Sequence, residues 1–488
     1  MPLTIPARLH HALLGDFTPM DELTPQSYLD LNAERYGLSE RVNKLFLPRH
    51  GAPKIKEYHD EELSTAFLQD VYANGLGVAG AGLMGISIAA VAVNAGIPTL
   101  SYDVSDAALT SAPERLAREI TAQRLRAGVA CDVNAEEQQT VRRLVERFYQ
   151  TTDSLEELAR RRVVVESTPE KIKLKTKFYQ KLNQVAKKPI LLLTNTSSLR
   201  VDELAEALPE AQENQPLAKD FFCGFHFFHP VSKRSLLEIA RGAKTSRNAV
   251  VCALALARAF KKTPILVNDA PGFLVNRVLQ PYLNESLAML EEGIEPDRVE
   301  RVCLNFGMEG APLRVVDEIG LDVTLHAGWS FLKAFPTRTH VSAILPEMAR
   351  LNRLGRKTLL GFYRYQTHDS WSDDAELDCD AASLRALYRP DADAPTTNTA
   401  SDDAELALRV FTSVLFEGAR LLQEDVAANA QLVDLGLTRA LGFPEKKGGA
   451  FYWALSAGLN DILRLAENFK SLGQRFNPPK LLIDLASV

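Results

Sequence analysis

No stretch of this chain is apolar for long enough to cross a bilayer. The longest such runs, for example ISIAAVAV at 86–93, fall well short of the roughly 20 residues a spanning helix needs. The N-terminus has no basic segment leading into an apolar core, so no secretory leader is expected, and it is too acidic for a transit peptide. The closing Ala-Ser-Val is not a peroxisomal address. Cysteine is scarce: Cys131, Cys223, Cys252, Cys303 and Cys379 are scattered, with no CxxC pair. That excludes a disulfide framework and predicts reduced thiols in a cytoplasmic protein. Basic runs are also missing. The 56 Lys and Arg are outnumbered by 62 Asp and Glu, a net charge of −6, which speaks against a nucleic-acid surface. A polyanionic ligand would therefore need a local basic pocket.

What is present is an ordinary globular balance, 46% hydrophobic and 24% charged. At 488 residues the chain is too long for one core, so two to four domains are expected. Residues 1–72 are polar, proline-interrupted and weakly helical, and read as an N-terminal arm. From 73 to 269, short apolar runs at 75–80, 98–103, 163–166, 189–195, 221–228, 235–240 and 263–268 alternate with helical stretches. The helices are predicted near 83–95, 107–128, 135–150, 170–187 and 246–261. This alternation predicts an α/β domain with a doubly wound parallel sheet of Rossmann type. Residues 270–366 read as all-α, opened by a long helix over 271–293. A stretch at 367–404, rich in Asp, Ser, Thr, Ala and Pro, reads as an acidic linker. Residues 405–488 are helical again and echo the first helical region. Arg277, Val278 and Glu285 recur as Arg409, Val410 and Glu417 at a constant offset. That pattern predicts a duplicated helical module.

Residues 76–85 read LGVAGAGLMG. Gly80, Gly82 and Gly85 form GxGxxG between a strand and a helix, with Leu83 and Met84 inside the motif. The first glycine permits a tight turn, the second lets backbone N–H groups approach a pyrophosphate, and the third allows helix–strand contact. The helix N-terminus then faces the negative charge. Asp103 ends the next strand, where a carboxylate can bond ribose hydroxyls and repel a 2′-phosphate. NAD is therefore expected rather than NADP. A glycine turn with an unrelated surface aspartate is the plainer reading.

Residues 221–238 read FFCGFHFFHPVSKRSLLE. His226 sits among aromatics at a strand end, and Glu238 lies in the next strand. A return through Pro230 would pair them, fixing the imidazole tautomer and raising its basicity. From spacing alone, a packed histidine and an unrelated acid read equally well.

Seven segments taken in order, GVAGAGLMG, VVVESTPE, TNTSSL, GFHFFHP, LLEIARGAKTS, VNDAPGFLVNR and GRKTLLGFY, resemble the L-3-hydroxyacyl-CoA dehydrogenase family. That family includes the dehydrogenase part of the multifunctional fatty-acid oxidation proteins. The resemblance runs from about 75 to 366 and returns at about 405–475. It implies oxidation of a (3S)-3-hydroxyacyl-CoA to the 3-oxoacyl-CoA, or the reverse, with NAD. It implies His226 as the base, Glu238 as its orienting partner, and Ser197 near the hydroxyl and the nicotinamide. Asn276 would help place the substrate carbonyl or the histidine. Glu170 and Lys175 would lie near the ribose and nicotinamide, and Lys357 would close over the cofactor. Plainer readings remain beside these: Ser197 as a helix cap, Lys175 as a solvated lysine in KIKLKTK, Asn276 as a helix-terminal contact. No metal-ligand spacing is present.

Four departures from the family pattern stand out. His229 replaces an asparagine on the nicotinamide side, Leu359 replaces a glycine, and Glu309–Pro312 replaces a PMGP turn. No hydratase domain is expected before residue 75. A helical duplication within one chain would mimic the family's dimer contact, so a monomer is expected. Arg115, Arg118, Arg124 and Arg126 are the candidate contacts for CoA phosphates or for an acidic acyl carrier protein. A relative acting on other hydroxy compounds through a lysine base, and a non-catalytic NAD- or thioester-binding protein, are the competing readings. Neither a nucleic acid nor a membrane enters any of them.

Overall fold

A computed structural model of the chain describes residues 3–14, 45, 49, 51–212, 215–368, 375–378 and 402–486. The chain divides into two compact bodies, residues 52–273 and residues 1–51 with 274–488. Most of the predicted linker at 367–404, with Cys379, lies outside the described residues. Among the described residues, Cys131, Cys223, Cys252 and Cys303 are free thiols. None of the described helices is long and apolar enough to cross a membrane, and no group of three His, Cys, Asp or Glu side chains is placed to hold a metal.

The first body holds one eight-stranded sheet in the order β3-β2-β1-β4-β5-β6-β7-β8. Its strands are β1 Leu76–Ala79, β2 Thr99–Tyr102, β3 Tyr149–Thr152, β4 Val163–Glu166, β5 Leu191–Thr194, β6 Phe222–Phe227, β7 Leu236–Arg241 and β8 Thr263–Asn268. Strands β1, β4 and β5 are buried at every position, which is why they read as unbroken apolar runs rather than alternations. The helix Leu83–Asn94 is buried continuously from Gly85 to Val93. A helix apolar on all sides belongs inside a core. The order reverses at β1, which lies between β2 and β4, so the glycine turn that leaves β1 sits at the switch point of the sheet.

Two strands correct the sequence reading. The helix expected to reach 150 ends at Phe148, and Tyr149–Thr152 become an edge strand parallel to β2. Four residues, half of them threonine, carry no apolar run to announce it. The sheet is also mixed rather than wholly parallel, because β7 is antiparallel to β6 and carries β8 with it. Residues 228–235 are too few for a parallel crossover, which takes about a dozen residues or more. The hairpin makes His226 and Glu238 directly opposed partners.

The segment 1–72 does not behave as one arm. The helix Glu61–Asn74 packs on Arg247–Ala259 in the sheet body. There Arg247 donates to Asp60 Oδ2 and the His59 carbonyl, both at 3.0 Å, and Arg241 donates to the Tyr58 hydroxyl at 2.8 Å. The helix Ala7–Leu14 belongs to the other body. It buries Leu9 and Leu13 completely, and the Ala12 carbonyl accepts from Lys447 Nζ at 2.7 Å.

The second body is helical and is built on two long antiparallel helices, Val275–Glu291 and Asp403–Gln423. Arg277, on the first, donates to Glu417 at 2.7 Å and Glu424 at 2.9 Å. Arg409, on the second, donates to Glu285 at 2.9 Å and to both oxygens of Glu292 at 2.7 Å. Phe306 stacks on Phe411 with centroids 3.4 Å apart, and Phe443 and Trp453 pack edge-on around them. Glu300 accepts from the backbone N–H of Leu313 at 2.8 Å, and Asp434 accepts from those of Phe451 and Tyr452 at 2.9 and 3.0 Å. This body is not purely α. Tyr363–Arg364 and Glu376–Leu377 form a short antiparallel ribbon.

Leu359 adopts a left-handed conformation, φ 57°. A leucine there costs about 1–2 kcal/mol against glycine, part of which glycine returns as chain entropy. We expect Leu359→Gly to stabilise the protein by about 0.5–1 kcal/mol, read as a rise in the urea midpoint.

Candidate active site

The glycine turn is dictated by close approach. Gly80 has φ 106°, and a Cβ there would lie 2.5 Å from the Ser167 carbonyl oxygen. A Cβ on Gly85 would lie 1.8 Å from the Gly80 carbonyl oxygen, whereas one on Gly82 would meet nothing within 4 Å. The first and third glycines are thus packed by the protein itself, and the second borders open space. Leu83 is exposed and Met84 half-buried at the start of the helix. Asp103 Oδ2 accepts from the Ala81 N–H at 2.8 Å and Oδ1 from the Ser105 N–H at 3.0 Å, tying the end of β2 to the turn. We expect Gly85→Ala to abolish cofactor binding, because the clash is with backbone that cannot move aside. Fluorescence titration with NADH, against circular dichroism of the same sample, checks this.

Two of the four candidate arginines, Arg115 and Arg124, are tied into the fold. Arg115 donates to the Ala81 carbonyl at 2.8 Å, and Arg124 makes two bonds to Glu137 at 2.6 and 3.2 Å. Arg126 bonds Ser232, and Arg118 pairs with Glu114 on the surface.

A buried polar network lies beyond the ends of β4 and β5. Glu166, fully buried, accepts from Thr168 N–H and hydroxyl, Lys175 Nζ, the Tyr179 hydroxyl and the Thr194 hydroxyl, at 2.6–2.8 Å. Lys175 is 1% exposed and also lies 3.4 Å from Glu170. It is not a solvated lysine. Glu170 Oε1 accepts from the Thr196 hydroxyl at 2.6 Å and from the Ser197 and Ser198 N–H groups at 2.9 Å. Burial pushes the Glu170 carboxyl up, but Lys175 and these donors outweigh it and hold the group at about 2. Ser197 is not a helix cap. The helix that follows, Val201–Ala205, is capped by Asp269, which accepts from the Val201 and Asp202 N–H groups at 2.9 and 3.0 Å. Sequence reasoning missed Glu166 and Asp269. The one available signal was an acid ending an otherwise apolar strand.

His226 Nδ1 lies 3.0 Å from Glu238 Oε2. His226 is 5% exposed and Glu238 is 0% exposed. The Phe228 ring sits edge-on at 4.5 Å, and Phe273, at φ 51°, lies 6.1 Å away. Asn195 accepts from the Phe227 N–H at 2.8 Å, linking the end of β5 to the histidine strand. The His229–Pro230 bond is cis. Lys262 Nζ then donates to the carbonyls of Val231 and Arg234 at 2.6 and 2.7 Å, pinning the turn between the two strands. The structure thus brings His226 and Glu238 together, and separately Glu170, Lys175 and Ser197. Asn276 and Lys357 belong to the other body, where Asn276 opens the helix Val275–Glu291 and Lys357 pairs with Asp322.

Two matches to known families cover more than half of the chain. The 3-hydroxyacyl-CoA dehydrogenase NAD-binding domain matches residues 75–270, and the C-terminal domain of the same family matches residues 272–365. The chain belongs to the 3-hydroxyacyl-CoA dehydrogenase family. Among curated relatives, the fatty acid oxidation complex subunit alpha of Psychrobacter sp. (strain PRwf-1) is 29% identical over 455 residues. That match takes in 92% of this chain and 59% of the relative, so the chain spans well under two thirds of its length. Among solved structures, (S)-3-hydroxybutyryl-CoA dehydrogenase from Ralstonia eutropha is 29% identical with a TM-score of 0.52, over 60% of this chain and 99% of that one. The 3-hydroxybutyryl-CoA dehydrogenase of Escherichia coli K12 shares the fold, with a TM-score of 0.67 over 84% of this chain and 98% of its own, at 24% identity.

Proposed function

We propose that this chain interconverts a (3S)-3-hydroxyacyl-CoA and the 3-oxoacyl-CoA, with His226 as the base. The observation that carries the reading is the buried His226–Glu238 pair in the body that also bears the glycine turn. A carboxylate at Nδ1 makes that nitrogen the donor and leaves the Nε2 lone pair free. In oxidation, Nε2 takes the proton of the 3-hydroxyl. The O–H electron pair becomes the carbonyl π bond, and the C3–H pair departs as hydride. NAD, when bound, supplies the hydride acceptor. Glu238 then faces an imidazolium, whose charge it stabilises at close range in a dry setting. Glu170 and Lys175 hold Ser197 at the end of β5. Asp103 keeps lone pairs for the ribose hydroxyls and disfavours a 2′-phosphate, while the open side of Gly82 takes the pyrophosphate. His229 adds a titratable ring on the nicotinamide side. Neither Asn276 nor Lys357 is needed for this proton and hydride transfer.

The helical body supports a second inference, that it is internally duplicated. Arg277, Glu285 and Glu292 match Arg409, Glu417 and Glu424 at one offset, and each arginine bonds the other set's two glutamates. Such reciprocity is the mark of an isologous contact, here within one chain, and it supports a monomer. Light scattering that reports a dimer through residues 271–354 would sink this.

The deciding experiment is NADH production from NAD⁺ and a panel of L-3-hydroxyacyl-CoAs. We expect turnover on at least one. Turnover only on acyl carrier protein thioesters would reassign the carrier. NAD binding without turnover on any thioester would favour a non-catalytic protein, the reading that His229 and Leu359 motivate.

A further inference from the structure

The turn that joins the two strands of the His226–Glu238 pair is held by a cation with no acid of its own. Residues 228–235 connect β6 to β7. Lys262 Nζ donates to the Val231 carbonyl at 2.6 Å and to the Arg234 carbonyl at 2.7 Å. The next residue, Thr263, opens β8 and donates its N–H to the Ser235 carbonyl at 2.8 Å. The start of β8 therefore grips the far end of the turn through two consecutive residues. Within the turn, the N–H groups of Lys233 and Arg234 return to the Pro230 carbonyl at 2.9 and 3.1 Å.

Lys262 is half-buried, and among the described residues it makes no ion pair. Burial lowers the ammonium to about 8, and Glu119 opposes this only as a longer-range charge. A cation drawn out of water without a counter-ion is costly. A neutral side chain would avoid that cost, but no neutral side chain carries three N–H donors on one atom. Two carbonyls converging on one nitrogen call for such a donor.

Two features of the site depend on where the turn lies. The β6–β7 ladder sets His226 opposite Glu238, and Phe227 opposite Leu237 is the last pair before the turn. A slip of one residue would move Glu238 to the other face of the sheet, away from the imidazole. Phe228, the first residue of the turn, holds its ring edge-on to His226 at 4.5 Å. The carboxylate on Nδ1 and the aromatic wall beside the ring thus both take their positions from the turn.

We propose that Lys262 is a positioning residue for the reaction: by clamping the Val231 and Arg234 carbonyls it holds the β6–β7 register and Phe228, and through them the orientation of His226. This rests on the reading of His226 as the base. Lys262 acts through the turn and not on the reacting atoms.

The test is Lys262→Met in the full chain, which keeps the stem and removes the donors. The fall in kcat should lie between about tenfold and about a hundredfold, the upper figure being what a 1 Å misplacement costs. The KM for NAD⁺ should stay within about twofold. A lysine that merely stabilised the fold would lower the unfolding midpoint and leave kcat per folded enzyme unchanged. The second readout is nitrogen-15 NMR of histidine-labelled protein, tractable with nine histidines in the chain and assigned by the signal lost in His226→Ala. Native His226 should be the Nδ1–H tautomer that Glu238 selects, and Lys262→Met should show a mixture of the two tautomers. This readout needs no substrate, so it decides the proposal even where the functional reading fails for want of turnover. Should Lys262→Met not fold, Lys262→Gln, a neutral donor of shorter reach, is read for the same two losses. An unchanged Nδ1–H tautomer in the folded variant overturns the proposal, whatever the kinetics.

Discussion

His226→Ala is expected to lower kcat about a thousandfold while leaving NAD affinity within about twofold. General-base catalysis contributes about 10²–10⁴ in rate, and two features of the base proposed here would place it near the upper part of that range. Its Nδ1 is fixed by Glu238 at 3.0 Å, so the ring does not search for its tautomer. Its burial beside Phe228 and Phe273 limits the access of competing water to the ring. The turn proposed to take the cofactor is built by Gly80 after β1, Gly85 in the helix that follows and Asp103 after β2, away from the histidine strand, which is why binding should survive. Steady-state kinetics beside a fluorescence titration separate the two quantities. Glu238→Gln should fall between native and His226→Ala, because an amide still orients the ring but no longer balances the imidazolium. Equal kcat in native and His226→Ala would remove the proton-transfer role altogether.

Arg409→Leu should destabilise the helical body by about 3–5 kcal/mol, the usual consequence of removing one partner from a buried ion pair. Arg409 is 3% exposed and Glu285 is 0% exposed, and Glu292 would lose both of its Arg409 bonds. The exposed Arg118–Glu114 pair offers a control, since surface pairs contribute about 0–1 kcal/mol. Urea unfolding of the two variants should therefore differ severalfold in their loss of stability. A loss in Arg409→Leu no larger than in Arg118→Ala would mean that the clasp between the long helices contributes little.

The sequence exposed the parts of the site that depend on local chemistry. The glycine turn is legible because steric exclusion leaves only one residue type at Gly80 and Gly85, and the buried strands are legible because both their faces are covered. His226 and Glu238 were visible as residue types, and a return through Pro230 suggested their pairing. The direct opposition of the two residues is a matter of register, set by the antiparallel hairpin. The Glu166 network was not legible, since its donors come from three elements that meet only in the folded body. The strand Tyr149–Thr152 escaped notice because it owes its existence to a neighbour rather than to its own side chains. The matching arginines and glutamates of the helical body could be seen to recur. That each bonds the other's acids rather than its own follows only from the antiparallel approach of the two helices.

That clasp has an evolutionary consequence. In a dimer of identical chains, every substitution at the contact is made twice, once on each side, so a change that suits one half must be tolerated by the other. With Arg277 and Arg409 on a single chain, each position is free to vary alone. Arg409 keeps every nitrogen bonded to its carboxylates, while Arg277 bonds through two of its three.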